Sequence, residues 1–202
     1  MRKYGFWIGL VVLLALVWLG YLLFAQPDQR LRGSVIEPVL PAPEFTLPST
    51  QGGDFTLSEQ SGKVVLLFFG YTFCPDVCPA TLAEMRRVYE DLGDQADNVR
   101  FVFITVDPQR DDLAKMKQHV EYFNPNFVGL SAEETELQPV WDAYGVYRAI
   151  SQPAADKAYL VDHTARLYLI DPAGGLRVTY AFGTPPEDIV HDLRLILKEA
   201  DK

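Results

Sequence analysis

The sequence predicts an α/β domain built on parallel βαβ units and carried behind one apolar N-terminal helix. Three observations point there. Two largely apolar runs, Val64–Phe69 and Val99–Val106, bracket a stretch with Leu82, Met85, Tyr89 and Leu92 at helical spacing. The C-terminal part reads strand, glycine-rich turn, strand, helix. Phe6–Ala25 is twenty residues without a charge.

The N-terminus comes first. A helix over 6–25 reaches about 30 Å, enough to cross the hydrocarbon layer. Leu23-Phe24-Ala25 matches a small-x-small cleavage site only at its last position, so residues 1–25 are expected to be an uncleaved anchor. Arg2, Lys3 and the free amine favour an amine-inside orientation, with the domain outside the cytoplasm. Residues 26–43, rich in proline and polar groups, read as a linker, leaving 44–202 as the domain.

Phe45–Leu47 and Phe55–Leu57 flank a Gly-Gly turn and predict a short hairpin. The strand 64–69 and the helix 81–92 follow. The strand 99–106 is stopped by Asp107-Pro108. Asp111 is placed to cap a helix through Phe123, with Leu113, Met116, Val120 and Phe123 on one face. A weak strand at 127–130 and a helix at 133–144 come next. Residues 146–150 and 157–161 predict an inserted hairpin. Strands 166–170 and 176–182 around Asp171–Gly175, then a helix over 186–200, close the chain. That order is thioredoxin-like: a thioredoxin-like fold with an N-terminal hairpin and an inserted hairpin, preceded by a single transmembrane helix.

The 202 residues are 49% hydrophobic and 22% charged, an ordinary globular balance. Net charge is −9, and residues 33–202, with 14 of the 18 Lys and Arg and 26 of the 27 Asp and Glu, carry −12. Nucleic acid and an anionic membrane surface are therefore poor partners. A basic partner or a cation suits it, although an acidic surface usually serves solubility alone.

Both cysteines lie in Gly70-Tyr71-Thr72-Phe73-Cys74-Pro75-Asp76-Val77-Cys78-Pro79, a strand-to-helix turn. Pro75 and Pro79 bias the cysteines out of the α region, at or before the helix N-terminus, where free N–H groups favour thiolate. An inert buried pair is a poor fit for that place. A structural disulfide across four residues would stabilise little, and zinc would want more ligands than two Cys and three His readily supply. Thiol exchange and soft-metal binding remain. The extra residue relative to Cys-x-x-Cys widens the sulfur spacing without excluding a disulfide.

A third ligand favours the metal. Two thiolates and an imidazole suit copper as Cu(I) or Cu(II). His119 and His191 read as residues of solvated helix faces. His163 ends Tyr159-Leu160-Val161-Asp162-His163, just before the strand 166–170, where the fold usually packs a cis-proline loop against its cysteines. Thr164 and Ala165 stand there instead of proline. Cys74, Cys78 and His163 are thus the candidate metal ligands.

The cysteine stretch, Thr105-Val106-Asp107-Pro108-Gln109-Arg110-Asp111 and Tyr159–Thr164 together resemble the Sco/SenC family of membrane-anchored copper chaperones, over about residues 40–200. The resemblance implies copper on Cys74, Cys78 and His163. It also implies delivery to the dinuclear copper centre of cytochrome c oxidase, with that oxidase's copper-bearing subunit or another copper chaperone as partner. A single-pass protein of the bacterial inner membrane, its domain on the periplasmic side, is the implied setting. Phe73 and Thr164 depart from the usual pattern without touching a ligand. Some family members act mainly as thiol reductants, so a thiol-disulfide oxidoreductase working through Cys74 and Cys78, and keeping the target's cysteines reduced, stays open. Supporting roles are expected for Asp162 (orienting His163 or forming a turn), Asp107 (site edge or loop cap) and Asp76 (tuning the thiolate or meeting a partner). Tyr71 and Phe73 read as walls of the site, Trp141 and Tyr144 as core.

Overall fold

The computed structural model describes residues 2–24, 29–151 and 159–200, with side chains only over 7–20 in the first segment. The chain forms two units, Met1–Arg30 and Leu31–Lys202. The first contains one helix, α1 (Arg2–Phe24). Trp7, Val11, Leu14 and Trp18 on it are each more than half exposed. Among the described residues no helix is long and apolar enough to cross a membrane, so the spanning role expected of residues 1–25 rests on the sequence.

The second unit opens with β1 (Ser34–Pro41), inside the stretch expected to be linker. Ser34 lies opposite Thr179 and Pro41 opposite Gly175, antiparallel. Pro38 and Pro41, two of the prolines that suggested a linker, are tolerated because β1 is a sheet edge, where a missing N–H breaks no ladder bond. β2 (Thr46–Pro48) and β3 (Asp54–Thr56) form the expected hairpin, Leu47 facing Phe55.

β4 (Val64–Gly70) is buried at every position, as a strand covered on both faces must be. After it come α2 (Val77–Leu92), β5 (Val99–Thr105), α3 (Leu113–Phe123), β6 (Val128–Leu130) and α4 (Glu134–Ala143). Then follow β7 (Arg148–Ser151), β8 (Leu160–His163), β9 (Arg166–Ile170), β10 (Gly175–Ala181) and α5 (Pro186–Ala200). The main sheet has the order β1-β10-β9-β4-β5-β6, with β4, β5 and β6 parallel and the other pairs antiparallel. The α/β, thioredoxin-like expectation holds.

Alternation along β4 sorts the core. Phe68 points to the face where Phe103, His119 and Phe123 pack, and α2 lies between α3 and α5. Phe69 points the other way, against Tyr144 of the α4 C-terminus and Tyr168. Trp141 and Tyr144 are core, as expected.

Three local expectations are corrected. α2 begins at Val77 rather than Thr81 and includes Cys78; Pro79 falls in the first turn, where its missing N–H costs no helical bond. Asp112, not Asp111, caps α3, accepting from the Lys115 N–H at 2.8 Å. The second strand of the inserted hairpin runs on to His163, and the tip at 152–158 lies outside the described residues.

The start of the second unit is fastened to its last helix. Asp192 is fully buried and accepts from the Arg32 N–H (2.8 Å), the Gly33 N–H (2.9 Å) and the Tyr180 hydroxyl (3.1 Å). Asp192→Ala leaves these donors without an acceptor. The expected loss is about 2–4 kcal/mol in chemical denaturation, and a change below about 0.5 kcal/mol would contradict this bonding pattern.

Candidate metal centre

The site forms where the parallel strands end. β4 stops at Gly70, opposite Thr105 of β5, so the loop 71–76 leaves the sheet without a ladder to hold it. Side chains hold it instead. Asp111, fully buried, accepts from the Thr72 N–H (2.9 Å), the Thr72 hydroxyl (2.5 Å) and the Thr105 hydroxyl (2.8 Å). Burial raises its pKa, and those bonds work against the rise. Gly70 is small for a reason: a Cβ there would sit 2.7 Å from the Phe103 ring and 3.0 Å from Cys78 Sγ.

The imidazole arrives from the opposite side of the sequence. β9 runs antiparallel to β4 with Leu167 opposite Phe68, so the residues just before β9 stand beside the end of β4. The hairpin β7–β8, with Arg148 opposite His163, is pinned by Arg148 Nε to the Val106 carbonyl and by the Val161 N–H to the Tyr71 hydroxyl (3.3 Å). Edge-on packing of His163 against Tyr71 and Phe68 fixes the ring plane.

The ligand atoms of Cys74, Cys78 and His163 then lie within 4.8 Å of one another. His163 Nε2 is 3.5 Å from Cys78 Sγ, and Nδ1 is 3.2 Å from the Thr164 carbonyl. A carbonyl only accepts, so Nδ1 carries the proton and the Nε2 lone pair faces the sulfurs, the tautomer a metal requires. Two sulfurs and one imidazole nitrogen form a soft donor set fitted to copper.

The two thiols are unlike. Cys78 is fully buried at the second position of α2, and Cys74 is partly exposed before the helix. Cys74 Sγ accepts the Cys78 N–H at 3.3 Å. Its pKa falls to about 4, chiefly through the Cys78 S–H bond, with smaller help from the Asp76 and Cys78 amides, against burial. Cys78 moves the opposite way, because it donates to Cys74 and is buried. At neutral pH the metal-free pair is therefore one thiolate and one thiol.

The supporting residues divide. Asp107 is fully buried and joined to Arg110 and to the Tyr159 hydroxyl (2.8 Å), bracing the site's edge. Asp162 does not orient His163: neighbours on a strand face opposite ways, and its carboxylate accepts from Ser151 at 2.8 Å. Asp76 is exposed at the α2 N-cap position with no capping bond from its side chain; its backbone N–H is what serves Cys74. Phe73 is an exposed wall, whereas buried Tyr71 also accepts a bond.

His119 and His191 stay outside the cluster, and neither is on a fully solvated face. His119 belongs to the stripe Met116, His119, Val120 and Phe123 and packs against Phe103, so burial lowers its pKa. His191 Nδ1 lies 3.0 Å from Asp192. Sequence reasoning passed over Arg110 and the true work of Asp111. The signal was the pair Asp111-Asp112, of which one residue suffices as a cap.

The SCO1/SenC family pattern matches residues 37–198. A SCO2-like protein of Rickettsia felis is 32% identical over 193 residues, covering 92% of this chain and 94% of its own length. Bradyrhizobium japonicum ScoI, solved with copper bound, superposes with a TM-score of 0.71 at 39% identity, covering 78% of this chain and 100% of that one. Yeast Sco1, also solved with copper, gives 0.70 at 29% identity, over 80% of this chain and 90% of that one. With the family pattern along most of its length and a relative matched across nearly the whole of both chains, this chain belongs to the SCO1/SenC family.

Proposed function

We propose that this protein binds copper through Cys74, Cys78 and His163 and hands it to the dinuclear copper centre of cytochrome c oxidase. The observation that carries the reading is the convergence of three soft or borderline donors within 4.8 Å at a partly exposed loop. Copper in the similar Bradyrhizobium and yeast structures supports it. A three-ligand site releases its cargo by ligand exchange, one bond at a time, and needs no catalytic group. The apolar segment at 1–25 anchors the chain in the bacterial inner membrane, with the domain on the periplasmic side. The receiving partner is the oxidase's copper-bearing subunit or an intermediate copper chaperone.

The detergent-solubilised full chain should take up one equivalent of copper as Cu(I) or Cu(II), and none after the cysteines are oxidised to a disulfide. His163→Ala should keep Cu(I) on two thiolates but lose or shift the thiolate-to-Cu(II) absorption. In cells at matched abundance, His163→Ala and Cys74→Ala should both lack assembled oxidase. Uptake of copper by the disulfide form equal to that of the reduced form would sink the dithiolate site.

The unlike cysteines favour a second reading, a thiol-disulfide oxidoreductase that keeps the target's copper-ligand cysteines reduced. A partly exposed thiolate beside a buried thiol is the asymmetry that disulfide exchange uses, Cys74 attacking and Cys78 resolving. Near-normal oxidase with His163→Ala, and none with Cys74→Ala, selects this reading.

The thiolate itself is open to a pH test. Because the pKa of Cys74 is lowered, its charged form persists as pH falls and disappears only near pH 4. Iodoacetamide should label Cys74 of the metal-free protein readily at pH 6, where an ordinary thiol is inert, and Cys78 hardly at all. Cys78→Ala removes the main hydrogen bond to that thiolate, so the Cys74 labelling profile should move to higher pH. An unmoved profile would show that the S–H bond is not the cause.

As for the membrane, the full chain should resist extraction by carbonate. Its release into the soluble fraction with residues 1–25 intact would remove the anchor from the proposal.

A further inference from the structure

Arg110 joins the segment that carries Cys74 to the segment that carries His163. Its Nε donates to the buried carboxylate of Asp107, and its Nη1 donates to the Tyr159 carbonyl at 2.9 Å. The guanidinium carbon lies over the Tyr159 ring, 3.6 Å from its centroid, and the Tyr159 hydroxyl closes the circuit on Asp107 at 2.8 Å. Tyr159 directly precedes β8, four residues from His163. The same guanidinium stands 4.8 Å from the centroid of Phe73, the residue before Cys74. Lys115 also lies over Phe73, at 4.5 Å, and holds the Arg110 carbonyl at 2.7 Å.

This arrangement is costly as a source of stability. Arg110 is 16% exposed, and its Nη2 is buried without a hydrogen-bond partner. A cation left with an unmet donor stabilises little for its burial. What the arrangement supplies is geometry: a rigid planar group fixes the start of β8 against the loop 71–74. Tyr71 makes the other bridge, through the Val161 N–H.

We propose that Arg110 is a positioning residue for the metal site, holding the imidazole of His163 at the distance and angle at which it completes the Cys74–Cys78 pair. The inference rests on the copper reading of that site. It predicts a selective defect. Cu(I) is satisfied by two thiolates, whereas Cu(II) depends on the imidazole, so misplacing His163 penalises Cu(II) first. Lysine keeps the charge but has neither the plane nor the paired donors, so it should not substitute.

The test uses the full chain in detergent with Arg110→Lys and Arg110→Met, loaded separately with Cu(I) and Cu(II). Both variants should bind Cu(II) at least about tenfold more weakly, with a weakened or shifted thiolate-to-Cu(II) absorption, while Cu(I) affinity changes less than about threefold. In the metal-free protein the ring resonances of His163 should move in both variants. This readout needs no copper, so a failure of the copper reading shows as a wild-type chain that binds no copper, with the ring shifts still judging Arg110. Unchanged ring shifts and Cu(II) spectra overturn the proposal. So does wild-type behaviour of Arg110→Lys, which would make charge alone the agent, and so does an equal loss of both oxidation states together with a collapsed melting temperature.

Discussion

The site depends on what replaces the sheet's hydrogen bonds where β4 and β5 run out. Beyond Gly70 and Thr105 no ladder continues, yet the loop 71–76 must hold the Cys74 sulfur in a fixed relation to the N-terminus of α2, which carries Cys78. Asp111 meets that need from inside the protein by gathering Thr72 and Thr105 onto one carboxylate. A buried acid with three donors is held firmly because each donor would otherwise stand dry and unpaired. The helix then presents its first free N–H groups to Cys74, and the room left by Gly70 admits Cys78.

From that constraint the division of labour between the cysteines follows. Cys78 is sealed in the core and keeps its proton; Cys74 stands at the rim and has lost it. A metal must displace one proton, from Cys78, while a disulfide partner meets a nucleophile already charged. The same asymmetry serves copper binding and thiol exchange, so His163 rather than the cysteines separates the two chemistries.

Much of this was legible in the sequence. Apolar runs located β4 and β5, the glycine-rich turn located β9 and β10, helical spacing located α2 and α5, and the proline-flanked cysteines located the site. What escaped was decided by tertiary context. Residues 34–41 look like linker because nothing local reveals that β10 needs an edge partner. Asp162 looked as plausible as any neighbour of a metal-facing histidine, until strand alternation turned it outward to Ser151. Asp111 could not be read as a buried clasp, because Thr72 and Thr105 are distant in sequence and meet only in the fold. His119 would have read as core had the stripe through Met116 and Phe123 been followed through it.

The prolines of β1 have one more consequence. This edge strand carries Val35, Val39 and Leu40 well exposed, an apolar row beside unpaired backbone, which in another protein would invite a foreign strand to add itself. Pro38 and Pro41 offer no N–H to such a visitor, and the register shifts between Val35 and Leu40. At the opposite edge β6 is only three residues long, and Ser49 already bridges to Leu130. A six-stranded sheet is thus closed to recruitment at both ends, so the domain can be crowded at high local density without polymerising through its edges.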